Sequence, residues 1–220
     1  MIQLYDKFAE AGFKTFNQKN YSIKEQQDDP DGILVHSHPL HDVEFGKNLK
    51  SIVRIGTGVN TIPVDRCTKA GIAVFNCPGG NANAVKELVL AGLFLGARNI
   101  PEAITWTYGL VGDENASKTV EKGKSQFAGN EIMGKKLGVI GLGAIGVKVA
   151  NAAHSLGMDV LGYDPYLSVT NALSLSRSVE IVKDMNDIFK NCDFITIHVP
   201  LLESTNHMIS AEAISMMKET

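Results

Sequence analysis

The chain has 220 residues and a formal net charge of −3, with 44% hydrophobic and 20% charged residues. That is the makeup of one or two ordinary globular domains, without the clustered Lys and Arg that a nucleic-acid surface needs. Three widely spaced cysteines, Cys67, Cys77 and Cys192, form neither a zinc nor a disulfide framework and suit reduced thiols in a cytoplasmic protein.

The first ten residues alternate charge with apolar side chains and hold no signal-peptide core. Short apolar runs at Ile33 to His36, Ile52 to Ile55 and Ile72 to Phe75 read as strands. Pro63 to Ala70 reads as a helix between the last two. Pro63 suits its first turn, where a missing N–H costs nothing, and Gly71 suits a left-handed end. Asn81 to Arg98 reads as a long helix, apolar nearly all round and therefore expected to be buried on several sides. Its most apolar part, Leu88 to Ala97, is about half the length a membrane span needs, so no membrane partner is expected. A second helix is expected over Pro101 to Leu110, then a loop or wrapping segment from Gly112 to Asn130.

From Lys136 the alternation resumes. Leu137 to Ile140 is a predicted strand, Ala144 to Leu156 a helix ended by Gly157, and Val160 to Tyr163 the next strand. Glu180 to Val182 is a weak strand and Met185 to Asn191 a helix. Phe194 to Val199 reads as a fully buried strand, and a helix from Ala211 to Lys218 follows. Alternating strands and helices predict parallel sheets covered on both faces.

Between the strand at Leu137 to Ile140 and its helix stands Gly141-Leu142-Gly143-Ala144-Ile145-Gly146. Glycines at this spacing are weak evidence alone, but here a strand precedes and a helix follows. Gly141 permits a tight turn, Gly143 lets a pyrophosphate approach the backbone, and Gly146 lets the helix pack on the strand. Unpaired amides at the helix start then meet the phosphate charge. Asp164 ends the next strand, where a carboxylate accepts hydrogen bonds from ribose hydroxyls and repels a 2′-phosphate. No Arg or Lys follows in Pro165-Tyr166-Leu167-Ser168, so NAD is expected over NADP. The fold class is α/β, with two parallel-sheet lobes of Rossmann-like or flavodoxin-like type. The second is expected to be truncated, because a six-stranded sheet needs strands after Phe194 to Val199.

Several blocks make the sequence resemble the D-2-hydroxyacid dehydrogenase family, within it the phosphoglycerate-oxidising branch. They are Arg54 to Asn60, Phe75 to Asn81, Lys135 to Gly146, Leu156 to Met158 with Tyr163 to Pro165, and Cys192 to Leu201. The resemblance implies a dinucleotide domain inserted between two parts of a substrate domain. Residues 1–98 would be the N-terminal part of the substrate domain and 99–220 an incomplete NAD-binding domain. It implies that Ala144 and Ile145 face the pyrophosphate, that Asp164 faces the ribose, and that Val199 and Pro200 line the adenine side. Cys77 falls near the nicotinamide half, where the family often has Thr. The amides of Thr57 and Gly58 match the family's substrate-carboxylate loop, and Arg54 the arginine for a substrate phosphate, whose geometry a guanidinium fork fits. His36 stands where the family commonly has Arg.

The implied activity is NAD-linked oxidation of D-3-phosphoglycerate to 3-phosphohydroxypyruvate, opening serine synthesis. Other readings stay open: a family member acting on glyoxylate or hydroxypyruvate, or a non-catalytic NAD-binding regulatory module. The family's catalytic Arg, Glu and His have no counterpart here, so no catalytic residue is assigned, and the chain is expected to be an inactive fragment. His36, His38 and His41 cluster in a loop but are assigned no metal. His198 reads as a strand-end core residue, with His154 and His207 exposed. The long apolar helix resembles the family's dimer-forming helix, so a homodimer or higher homo-oligomer is expected.

Overall fold

The computed structural model describes residues 1–17 and 19–219, which pack as two compact units, Met1–Asn81 and Ala82–Thr220. The first unit is a parallel sheet of β1 (Ile2–Leu4), β2 (Ile23–Lys24), β3 (Gly32–Val35), β4 (Ser51–Arg54) and β5 (Ala73–Asn76), in the order β2-β1-β3-β4-β5. This is the flavodoxin-like order, whose reversal between β1 and β3 is where such folds place ligands. Sequence reading missed β1, β2 and the short helix α1 (Glu10–Phe13), because two or three residues are too few to display a period. Alternation along β3 turns Ile33 and Val35 into a core with Ile52, Ile62, Cys67 and Ile72. Helix α2 (Val64–Lys69) adds Cys67 to that core. Pro63 caps it at φ −75° and Gly71 leaves it at φ +72°, as their chemistry demands. Leu34 and Val53, which alternate with the core residues, are only half-buried.

In the second unit the sheet is β8-β7-β6-β9, again parallel, from β6 (Lys136–Ile140), β7 (Asp159–Tyr163), β8 (Glu180–Ile181) and β9 (Phe194–Ile197). Taken in chain order this is 3-2-1-4, the start of a Rossmann sheet. Helix α6 (Gly146–Ser155) buries Gly146, Val149, Ala150 and Ala153, one face at helical spacing. That face joins Leu137, Val139, Met158 and Val160 in one core cluster. On the other side Ile140 and Leu161 meet Ile188, Phe189 and Ala213, carried by α8 (Asn186–Asn191) and α9 (Ala211–Met216). Helix α7 (Val169–Ser174), unforeseen, starts where the Ser168 hydroxyl accepts the Asn171 amide.

Three expectations need correction. Gly112 to Asn130 is not a loop: it holds α5 (Ala116–Gly123) and a 3-10 turn, Lys124–Phe127. There the ring of Trp106, from α4 (Ile100–Tyr108), packs on Phe127 at 5.2 Å. The strand at Phe194 is not fully buried and ends at Ile197, which is 42% exposed. It is an edge strand among the described residues, with a neighbour on one side only. The long helix, α3 (Ala82–Arg98), packs on α6 and belongs with the second unit by packing. Only Ala82, Leu93 and Ala97 of it are buried, and Leu88 is 74% exposed. No single helix among the described residues is long and apolar enough to cross a membrane, and α3 and α4 are bent by 70°.

The C-terminal edge of the first sheet is tied together by Asp6, which follows β1. Its Oδ2 accepts the amides of His36, Ser37 and His38 at 2.6, 3.1 and 3.4 Å. Burial pushes this carboxyl up, but the three amides and the nearby His36 outweigh it and hold it below the ordinary value. A depressed value means the contribution is complete above the unfolded carboxyl pKa, about 4, and disappears as pH falls through the lower folded value. We expect Asp6→Ala to lower the melting temperature of the first unit by about 4–8 °C at pH 7, for roughly 1 kcal/mol lost. As pH falls through that lowered folded value the difference from wild type should shrink. Calorimetry across pH 2–7 checks this, and a difference that persists in acid would refute it.

Candidate functional site

In the second unit the sheet order reverses between β6 and β9, and the glycine turn lies at the C-terminal end of that junction. The Gly141 amide donates to the Tyr163 carbonyl at 2.8 Å, and the residue sits at φ +92°. A Cβ there would stand 2.8 Å from Val199 Cγ1 and 2.9 Å from the His198 carbonyl carbon. Gly146 is closed to a side chain too, since its Cβ would strike the Gly141 carbonyl oxygen. Gly143 is different: nothing lies within 4 Å of a Cβ built on it. The first and third glycines are therefore packed against protein, and the middle one faces open space.

The amides of Gly143, Ala144 and Ile145 donate to no protein acceptor among the described residues, while Val147 N bonds back to Gly143 O at 3.1 Å. Ala144 is exposed and Gly143 and Ile145 are half-buried, so these donors stand where an anion can reach them. Asp164 follows β7 beside the turn. Its Oδ2 accepts the Leu142 amide and its Oδ1 the Tyr166 amide, each at 2.9 Å. A carboxylate has about four acceptor positions, so two bonds orient it and leave capacity for ribose hydroxyls. Val199, half-buried, seats on Gly141, and the exposed Pro200 follows it. The expected dinucleotide residues of this unit thus gather at one sheet edge. Open space at Gly143, unpaired amides and an oriented carboxylate fit a diphosphate joined to a ribose.

The first unit builds a separate arrangement. Arg54 ends β4, and its Nε donates to the His36 carbonyl at 3.0 Å. The guanidinium lies over the following loop, with Nη1 2.6 Å from a Cβ position at Gly56 and 3.7 Å from one at Gly58. The Thr57 and Gly58 amides have no protein acceptor among the described residues, and Asn76 Nδ2 holds the Thr57 carbonyl at 2.7 Å. A guanidinium beside a loop carrying two such amides is a donor set that suits an anion. Cys77 follows β5, half-buried, with its amide on the Gly56 carbonyl at 3.0 Å. Sequence reading missed Asp6 and Asn76, which hold these loops; both act through backbone groups, which no side-chain motif reports.

The histidines are engaged separately. His36 Nδ1 meets Ser37 Oγ at 2.8 Å, His38 stacks on Tyr5, and His41 Nε2 lies 2.9 Å from the Asn60 carbonyl. His198 is half-buried beside Thr196 Oγ1 at 2.9 Å, and burial pushes its imidazole down, favouring the neutral ring. His207 is exposed and His154 half-buried. Burial also pushes the Cys192 thiol up to about 11 and raises that of Cys67, which leaves both unsuited to nucleophilic chemistry.

A family model described as the NAD binding domain of D-isomer specific 2-hydroxyacid dehydrogenases matches residues 96–220. A D-3-phosphoglycerate dehydrogenase from Methanocaldococcus jannaschii is 41% identical over 177 residues, covering 80% of this chain and 32% of the relative. A hydroxypyruvate reductase from Thermotoga maritima is 40% identical over 177 residues, covering 80% of this chain and 53% of the relative. Among solved structures, an NAD+-bound 3-phosphoglycerate dehydrogenase from Entamoeba histolytica matches with TM-score 0.74 and 25% identity, over 99% of this chain and 68% of that one. The chain spans about a third of the first of these relatives and about half of the second.

The three glycines should separate by experiment. Gly146→Ala forces a methyl onto the Gly141 carbonyl and should cost about 1–3 kcal/mol in denaturant unfolding. Gly143→Ala should leave stability within about 0.5 kcal/mol and weaken NAD binding roughly tenfold, because its methyl occupies space the diphosphate needs. Equal effects of the two substitutions on stability would contradict this division of roles.

Proposed function

Because this chain belongs to the D-isomer specific 2-hydroxyacid dehydrogenase family and carries its NAD-binding domain, we propose that its parent activity is oxidation of a phosphorylated D-2-hydroxy acid, D-3-phosphoglycerate, opening serine synthesis. The observation that carries the substrate choice is Arg54, whose Nη1 lies beside Gly56 and Gly58 in the loop where the Thr57 and Gly58 amides find no protein acceptor among the described residues. Two amides suit a carboxylate and a guanidinium suits a phosphate, whereas glyoxylate has only the carboxylate. The 41% identical phosphoglycerate dehydrogenase supports this branch, and the 40% identical hydroxypyruvate reductase keeps the unphosphorylated alternative in play.

Bound NAD supplies the hydride acceptor. The Gly143, Ala144 and Ile145 amides bind the diphosphate, Asp164 orients the adenosine ribose, and Val199 and Pro200 flank the adenine. Residues 1–98 serve the substrate and 99–220 the cofactor, with α3 structurally joined to the latter. The family's acid–base residues have no counterpart among the 220, so this polypeptide should bind NAD without turnover. A purely NAD-binding regulatory role is the further alternative, decided by reading the coding sequence around this segment. The free thiols of Cys67, Cys77 and Cys192 fit a reducing cytoplasm.

Calorimetric titration tests this reading. NAD should bind, Asp164→Ala should narrow the preference for NAD over NADP, and Arg54→Ala should weaken 3-phosphoglycerate binding about tenfold or more with little change for glyoxylate. Equal losses for both acids would remove the argument for a phosphate. Clear turnover of NAD with 3-phosphoglycerate would refute the expected inactivity.

The exposed apolar residues of α3 and α4 suit a second copy of the chain. Leu88, Leu95, Ile104 and Tyr108 are 74%, 44%, 50% and 74% exposed. Such a concentration on neighbouring helices is what a homodimer interface buries. Gel filtration with light scattering should give a dimer that Leu88→Glu dissociates; a monomeric wild type would argue against it.

A further inference from the structure

We infer that Thr205 is a positioning residue for the adenine-side lip of the dinucleotide site, an inference that rests on the proposed placement of adenine beside Val199 and Pro200. The last ladder bond leaving β9 runs from the His198 amide to the Ile140 carbonyl at 2.7 Å. Beyond it, residues 199–201 make no backbone–backbone hydrogen bond among the described residues, and Pro200 has no N–H to offer. One hydroxyl takes over. Thr205 Oγ1 donates to the Pro200 carbonyl at 2.7 Å and accepts the Leu202 amide at 2.8 Å.

The same short turn, Glu203–Thr205, is closed by the Thr205 and Asn206 amides on the Leu202 carbonyl at 3.1 and 2.9 Å. Val199 and Pro200 are therefore gripped at two points. Gly141 seats Val199 from below, and Thr205 fixes the Pro200 carbonyl from the far side of the turn. Thr205 itself is half-buried, while Leu201 is 82% exposed, so the surface of the lip is open and its anchor is not. A hydroxyl is needed because the turn presents to a single atom one donor, the Leu202 amide, and two acceptors, the Pro200 carbonyl at 2.7 Å and the more distant Leu202 carbonyl at 3.3 Å. Serine meets that need; valine keeps the shape and meets neither demand.

The test compares wild type, Thr205→Val and Thr205→Ser in the full chain by calorimetric titration with NAD, AMP and nicotinamide mononucleotide. Loss of one hydrogen-bonded anchor should weaken NAD and AMP about three- to tenfold in Thr205→Val. Nicotinamide mononucleotide should be unchanged, and Thr205→Ser should stay within about twofold of wild type. Independently of any variant, AMP should slow amide exchange across residues 201–206 of the wild-type chain. Unchanged NAD affinity in Thr205→Val, equal weakening of AMP and the mononucleotide, or no protection by AMP would each overturn the assignment. Wild type that binds neither NAD nor AMP would instead sink the site reading itself, and this inference with it.

Discussion

The backbone bend at Gly141 is the constraint on which the second unit's site depends. At φ +92° any other residue pays a left-handed penalty of about 1–2 kcal/mol before contacts are counted. Here contacts add to it, because Val199 and the His198 carbonyl already occupy the space a side chain would need. The same bend lets the Gly141 carbonyl sit against Gly146, so the first turn of α6 lies directly on the strand end. Surface ion pairs such as Lys124 with Glu121, worth at most about 1 kcal/mol, are minor beside this. Once the bend is fixed, the amides at residues 143–145 are left without protein partners among the described residues, and Leu142 N turns back to Asp164.

The first unit reaches a comparable end by other means. Its loops have no long helix start to supply donors, so a side chain fixes them. Asp6 gathers three consecutive amides, His36 O then receives Arg54 Nε, and the guanidinium is held over the Gly56 to Gly58 loop. Each step converts a flexible loop into a fixed donor or acceptor. The chain of contacts runs from a strand end through a backbone loop to a cation.

Exposed apolar surface on α3 and α4 reflects a limit of periodicity. A helix apolar all round must be covered, but composition does not say by what. Within this chain α6 covers one stripe, through Leu93 and Ala97. The remaining surface is a statement about assembly, and only contacts between folded bodies can complete it.

Much was legible in the sequence because it is local. Short apolar runs identified β3, β4, β6 and β7, the stretch from Ala144 to Leu156 identified α6, and Gly71 and Gly157 both end their helices at positive φ. The meeting of the glycine turn with Asp164 was legible too, since a short strand–turn–helix–strand unit brings them together. Strands β1 and β2, the helix inside 112–130 and the exposure of β9 were not legible. They depend on which strand becomes a neighbour and where an aromatic such as Trp106 finds a partner. The roles of Asp6, Asn76 and Thr205 were hidden for the same reason: each acts on a backbone group brought within reach only when the sheet edges assemble. Sequence by itself determined the local bends and periods, because these follow from steric limits on single residues. Tertiary structure decided which groups were left unpaired, because hydrogen-bond satisfaction is settled only when distant segments meet.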